Sequence, residues 1–168
     1  MKKQKTPKQS FTKTRDVVGR VKIEGLKVVP LQMNFDDRGY LFEIVHNYDM
    51  SKFGQVYAVG DPVRGVIRAY HKHEALWDYF CIVKGSAKFI FIDDRKKSRT
   101  YKQQEIVILS EKSPKVVSVP PGVYHGWMSL EDNTIMISIA SEIYNHEKPD
   151  EIRIPPDSFG DLWVVKGK

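Results

Sequence analysis

The chain has 168 residues, 41% of them hydrophobic, 11% aromatic and 29% charged, with a net charge of +6 and one cysteine. These values exclude a disordered chain, a collagen-like repeat and a disulfide scaffold, and the length is enough to bury one hydrophobic core. No apolar run nears the roughly 18 residues of a membrane span, and Cys81 has no internal partner, so a soluble, cytoplasmic protein without a membrane partner is expected.

The start, MKKQKTPKQS, is basic but leads into no apolar stretch, so it does not read as a secretory signal. Residues 1–22 hold eight basic side chains against Asp16 alone, and the rest of the chain is close to neutral. The expected organisation is therefore a basic, flexible arm over 1–22 and one domain over 23–168. A nucleic-acid reader would carry its basic face on the domain, where none is legible, so no nucleic-acid partner is expected.

From residue 26 the pattern is one of short strands. The runs 26–32, 40–46, 55–59, 65–71, 78–83, 86–92, 105–109, 115–119 and 134–140 are rich in Val, Ile, Phe and Tyr. Turn residues separate them, as in Asp36-Asp37-Arg38-Gly39, Lys84-Gly85 and Pro120-Pro121-Gly122. No stretch of a dozen residues shows a 3.6-residue apolar period. Many evenly spaced short strands predict an all-β jelly-roll barrel with short peripheral helices or turns.

Chemistry concentrates in two stretches. In 65–85, His71 and His73 are two apart and share one face of a strand, and a short connection brings Asp78 back beside them. In 119–127, a Pro-Pro-Gly turn aims His125 from a neighbouring strand. Together, His71-x-His73, Asp78 and Gly85, with Pro120-x-Gly122-x-x-His125, resemble the two cupin signatures.

A wider set of markers over residues 30–163 resembles the dTDP-4-dehydrorhamnose 3,5-epimerase family and related nucleotide-sugar isomerases. They are Asp36-Asp-Arg38-Gly39 through Glu43, Gly65-Val-Ile-Arg68-Ala-Tyr-His71, Asp93-Asp-Arg95 through Tyr101, Ser141-Glu-Ile-Tyr144, and Glu151 through Trp163. The resemblance implies an isomerase acting on a dTDP- or other nucleotide-linked 4-keto-6-deoxyhexose in polysaccharide biosynthesis, without a cofactor. His71 would be the catalytic base, Tyr144 the acid, and Arg38, Glu43, Gln55, Arg68, His73 and His125 substrate-binding residues. It also implies a homodimer with N-terminal strands exchanged, for which residues 21–32 are the candidates.

Two departures qualify this reading. Asp78 stands where the family usually has a lysine that stabilises the enolate, so Asp78 is expected to orient His71 instead. His71-Lys72-His73 replaces the family's His-x-Gln. Two alternatives therefore stay open: a metal-dependent cupin with His71, His73, Asp78 and His125 around one ion, and a non-catalytic sugar-binding cupin. One conflict with regular geometry is also visible. Arg68 and His71 are three apart, so they serve one site only if the strand bulges between them.

Overall fold

A computed structural model describes residues 21–165. Most of the expected basic arm lies outside the described residues. Its last two positions do not behave as an arm: Val21 packs on the core, and the Lys22 N–H donates to Glu105 Oε2 at 3.0 Å.

Twelve strands and no helix are found among the described residues. They are β1 (Lys27–Pro30), β2 (Asn34–Asp36), β3 (Gly39–Leu41), β4 (Gln55–Asp61), β5 (Ile67–Lys72), β6 (Asp78–Lys84), β7 (Ser86–Asp93), β8 (Gln104–Ser110), β9 (Lys115–Val119), β10 (Val123–Ser129), β11 (Thr134–Ala140) and β12 (Ile152–Arg153). Two five-stranded antiparallel sheets, ordered β1-β9-β6-β11-β4 and β12-β5-β10-β7-β8, form the expected jelly roll, and β2–β3 is a separate hairpin.

Strand alternation sorts the apolar residues into three clusters. Between the sheets lie Phe80 and Ile82 of β6, Phe89 and Phe91 of β7, and Val123 and Trp127 of β10. Alternate residues of the first sheet, such as Tyr79 and Cys81, turn outward and are covered by Leu31, Ile44 and Met50. On the far face of the second sheet, Tyr70 and Ile90 are covered by Phe159, Leu162 and Trp163. Each fully buried aromatic or aliphatic side chain contributes roughly 1.5–3 kcal/mol by leaving water.

Two expectations change. The run 40–46 keeps only its first residues as strand, because Phe42, Ile44 and Val45 lie over the outer face of the first sheet instead of joining a ladder. Strand β10 is absent from the expected runs, since its His, Gly and Ser dilute the strand signal, yet every one of its residues is buried. Residues 27–30, within the segment expected to exchange, form β1 and pair with β9 of the same chain.

Candidate active site

The site lies at one end of the space between the sheets. Asp78, the first residue of β6, points the same way as Phe80 and Ile82, so the pleat carries its carboxylate inward. His125 faces inward from β10 two residues before Trp127, and it sits opposite His71 of β5 in the ladder. The Pro120-Pro121-Gly122 turn sets that register, because Gly122 adopts φ +79° and a Cβ there would lie 2.5 Å from Arg95 Cγ.

His73 arrives from just beyond β5. Its ring Nδ1 meets the Asp150 carbonyl oxygen, and the Asp150 carboxylate accepts the N–H groups of Glu74, Ala75 and Leu76 at 2.8, 3.0 and 3.0 Å. One aspartate thereby holds the whole connection between β5 and β6. The expected return of Asp78 beside the histidines follows from this clamp, which nothing in the local spacing announces.

His71, His73, Asp78 and His125 converge, with their donor atoms all within 4.8 Å of one another. The His71 and His125 rings are 4.1 Å apart at 72°. Asp78 Oδ2 lies 3.3 Å from Nε2 of both His73 and His125. These are ion-pair distances without hydrogen-bond alignment, and Asp78 Oδ2 and His125 Nε2 are both buried without a hydrogen-bond partner. Burial holds the His71 imidazole well below its ordinary pKa, and the charges of His125, His73 and Arg153 add to this. His71 is therefore neutral near pH 7, the state of a base.

A cavity of about 400 Å³ opens beside this cluster, lined among others by His71, His125, Arg68, Tyr57, Glu151 and Arg153. Arg68 reaches it because the β5–β10 register shifts. His125 faces His71 but Trp127 faces Arg68, so β5 spends three residues where β10 spends two. The Ala69–Tyr70 peptide bond in this stretch is cis. Arg68 Nε donates to Asp61 Oδ1 at 2.8 Å, and fully buried Asp61 fixes the direction of the guanidinium.

Other expected residues stand apart. Tyr144 is outside the cavity lining, half-exposed, with its ring edge-on to His146 at 4.7 Å. Gln55 Oε1 accepts the Tyr144 N–H at 3.1 Å and so holds the segment that carries the phenol. The Tyr144 phenol is near enough to Arg153 for its charge to raise the guanidinium pKa, although Glu151 is the larger cause. Arg38 and Glu43 are on or just after the exposed hairpin: Arg38 pairs with Asp36, and Glu43 lies 3.2 Å from His46.

Sequence reasoning missed Tyr57, Asp61, Asp150, Glu151 and Arg153 as site residues. Arg153 is the cross-strand neighbour of His71, brought there by the two-residue β12. Glu151 and Arg153 had a signal, since they open the closing family marker; Tyr57 and Asp61 had only an ordinary strand pattern. Burial, then the Asp78 charge, raises the Tyr57 phenol above its ordinary pKa.

The sequence model described as dTDP-4-dehydrorhamnose 3,5-epimerase matches residues 20–166. The chain belongs to the dTDP-4-dehydrorhamnose 3,5-epimerase family. It is a sugar epimerase, an enzyme of the isomerase class. This epimerase is 33% identical to the spore coat polysaccharide biosynthesis protein SpsL of Bacillus subtilis, covering 84% of this chain and 96% of that one. It is 32% identical to a probable low-salt glycan biosynthesis epimerase, Agl13, of Haloferax volcanii, covering 80% and 89%. The crystal structure of a dTDP-4-dehydrorhamnose 3,5-epimerase of Bacillus anthracis superposes with a TM-score of 0.80 at 22% identity, covering 92% and 93%, and it bears out the expected cupin-type fold.

Proposed function

We propose that this epimerase acts on a nucleoside-diphosphate 4-keto-6-deoxyhexose in polysaccharide or glycan biosynthesis, by moving a proton at a carbon next to the ketone. The observation that carries the reading is His71: neutral, half-buried, and on the wall of a cavity with room for one hexose. The names of the two relatives above a 30% identity support the biosynthetic setting.

The ketone acidifies the adjacent C–H, and His71 takes that proton. The electron pair moves onto the carbonyl oxygen as an enolate, where the Arg68 and Arg153 cations favour the charge. Tyr144 returns a proton to the opposite face, so the bond is remade with inverted configuration and no net redox change. Arg68, steered by Asp61, has its remaining guanidinium N–H groups free for the diphosphate, and a planar fork suits two-point contact with phosphate oxygens. His125 lines the sugar end, with the His73 ring 5.8 Å from it.

Arg38 and Glu43 bind substrate in a homodimer, by reaching the site of the second copy. Their distance from this chain's own cavity lining supports this, as does the hairpin that carries Arg38. Among the described residues it pairs only with itself and exposes Phe35, Tyr40 and Leu41, and an isolated two-stranded hairpin is marginal in water. The free, buried Cys81 suits work in the cytoplasm.

The test is solvent exchange. Incubated in D2O with a panel of thymidine and uridine diphosphate 4-keto sugars, the protein should place deuterium next to the ketone of one of them, and His71→Asn should not. Exchange by His71→Asn at the native rate would defeat the reading.

A further inference from the structure

We infer that Gln55 is a positioning residue: its side-chain oxygen fixes the Tyr144 backbone, and with it the phenol that returns the proton, while Gln55 itself makes no contact with substrate. This rests on the reading of Tyr144 as the acid, and it replaces the substrate-binding role that the family resemblance implies for Gln55.

Gln55 opens β4 opposite Ala140, the last residue of β11. Beyond Ala140 the chain leaves the sheet. Ser141 is still tied down, because its N–H donates to the Trp77 carbonyl at 3.0 Å and its Oγ accepts the Trp77 N–H at 2.9 Å. The residues that follow are not in a strand, and Ile143 is 74% exposed. Among the described residues, the Tyr144 N–H to Gln55 Oε1 bond at 3.1 Å is the one hydrogen bond that joins residues 143–146 to a strand. A backbone N–H can only donate, so the Gln55 amide must present its oxygen there.

The backbone around this bond is shaped to permit it. The Gly54 N–H donates to the Ala140 carbonyl at 2.9 Å, and a Cβ on Gly54 would lie 2.1 Å from the Glu142 carbonyl carbon. Only glycine lets the two chains lie this close, and the approach brings Tyr144 within reach of one glutamine side chain. A second tie, Lys52 to Glu142 at 2.6 Å, is between side chains 62% and 41% exposed, so water screens it and it holds little. With its backbone anchored, the Tyr144 phenol has only two side-chain torsions left to search. Its charge reaches Arg153, the cross-strand neighbour of His71. Gln55 is not among the residues that line the cavity, although Tyr57, two residues on, is. A group that orients a proton donor acts on the chemical step, whereas a group that binds the diphosphate acts on affinity.

The experiment is steady-state kinetics on the member of the thymidine and uridine diphosphate 4-keto sugar panel that the protein turns over. Gln55→Ala should lower kcat about ten-fold and leave KM within about two-fold of native. Gln55→Glu keeps an oxygen acceptor for the Tyr144 N–H, so kcat should stay within about three-fold of native. In a Tyr144→Phe background, Gln55→Ala should cost nothing further, because the group it positions is gone. A Gln55→Glu variant whose KM rises about ten-fold or more overturns the inference, since that marks an amide N–H donating to the diphosphate; this holds even if Gln55→Ala fails to fold. An equal loss from Gln55→Ala in both backgrounds, with Tyr144→Phe itself slow, overturns the positioning role and leaves Tyr144 as the acid. A native kcat in Tyr144→Phe defeats the acid assignment and the inference with it.

Discussion

Arg68 and His71 line the same cavity although they are three residues apart on one strand. On a regular strand they would face opposite ways. The extra residue that β5 carries between them reverses the parity, and Gly126 is what allows it. A Cβ on Gly126 would stand 2.4 Å from Ala69 Cβ and 2.9 Å from the Arg68 carbonyl oxygen.

Gly126→Ala should therefore push β5 away from β10 at the point that joins the arginine to the histidine. The expected cost is about 1–3 kcal/mol of stability by denaturant titration, the range for overpacking. Deuterium incorporation should fall at least ten-fold in variant protein that remains folded by circular dichroism. Full exchange activity in Gly126→Ala would show that the close approach does not matter to the site.

Two phenols compete for the role of acid. Tyr144→Phe should lower exchange and turnover by about 10²–10⁴-fold, the usual contribution of a positioned proton donor. Tyr57 sits in the wall of the cavity, so Tyr57→Phe should mainly change KM. Steady-state kinetics on the pair decides between them, and a larger loss of kcat in Tyr57→Phe would reassign the acid.

Asp93 anchors the turn after β7. It accepts Arg95 Nε and a terminal guanidinium nitrogen, both at 2.8 Å, Ser98 Oγ at 2.7 Å and Thr100 Oγ1 at 2.6 Å. Burial alone would raise its pKa, but the Arg95 bond, then Thr100 and Ser98, outweigh it and hold the carboxyl well below its ordinary value. A depressed folded pKa means that the stabilisation is complete above the unfolded value of about 3.9 and is lost as pH falls toward the folded one. Asp93→Ala should cost about 3–5 kcal/mol at pH 7, since it strands Arg95. The gap between variant and wild type should narrow below about pH 4, as thermal melts across pH would show.

Cys81 should be inert in the native protein. It is fully buried, and burial pushes its thiol pKa up to about 12. Alkylation at pH 8 should label one thiol per chain in denaturant and almost none without it. Rapid native labelling would mean that the outer cluster around Tyr79 and Ile139 opens readily.

Much of this protein follows from local pattern. Alternation of apolar residues in short runs set the jelly roll, because period-two burial leaves few other solutions for so many strands. His71 and His73 share a face for the same reason, and Pro120-x-Gly122 places His125 because the turn needs a left-handed residue. What local pattern could not supply is whatever arrives from afar or breaks the period. The bulge that turns Arg68 inward exists only because β10 offers a glycine opposite Ala69. Arg153 and Asp150 join the site through two residues of β12 and a carbonyl, and Asp61 steers Arg68 from another sheet. The His73 ring is held by the Asp150 carbonyl, 77 residues along the chain, which only the assembled fold brings within reach.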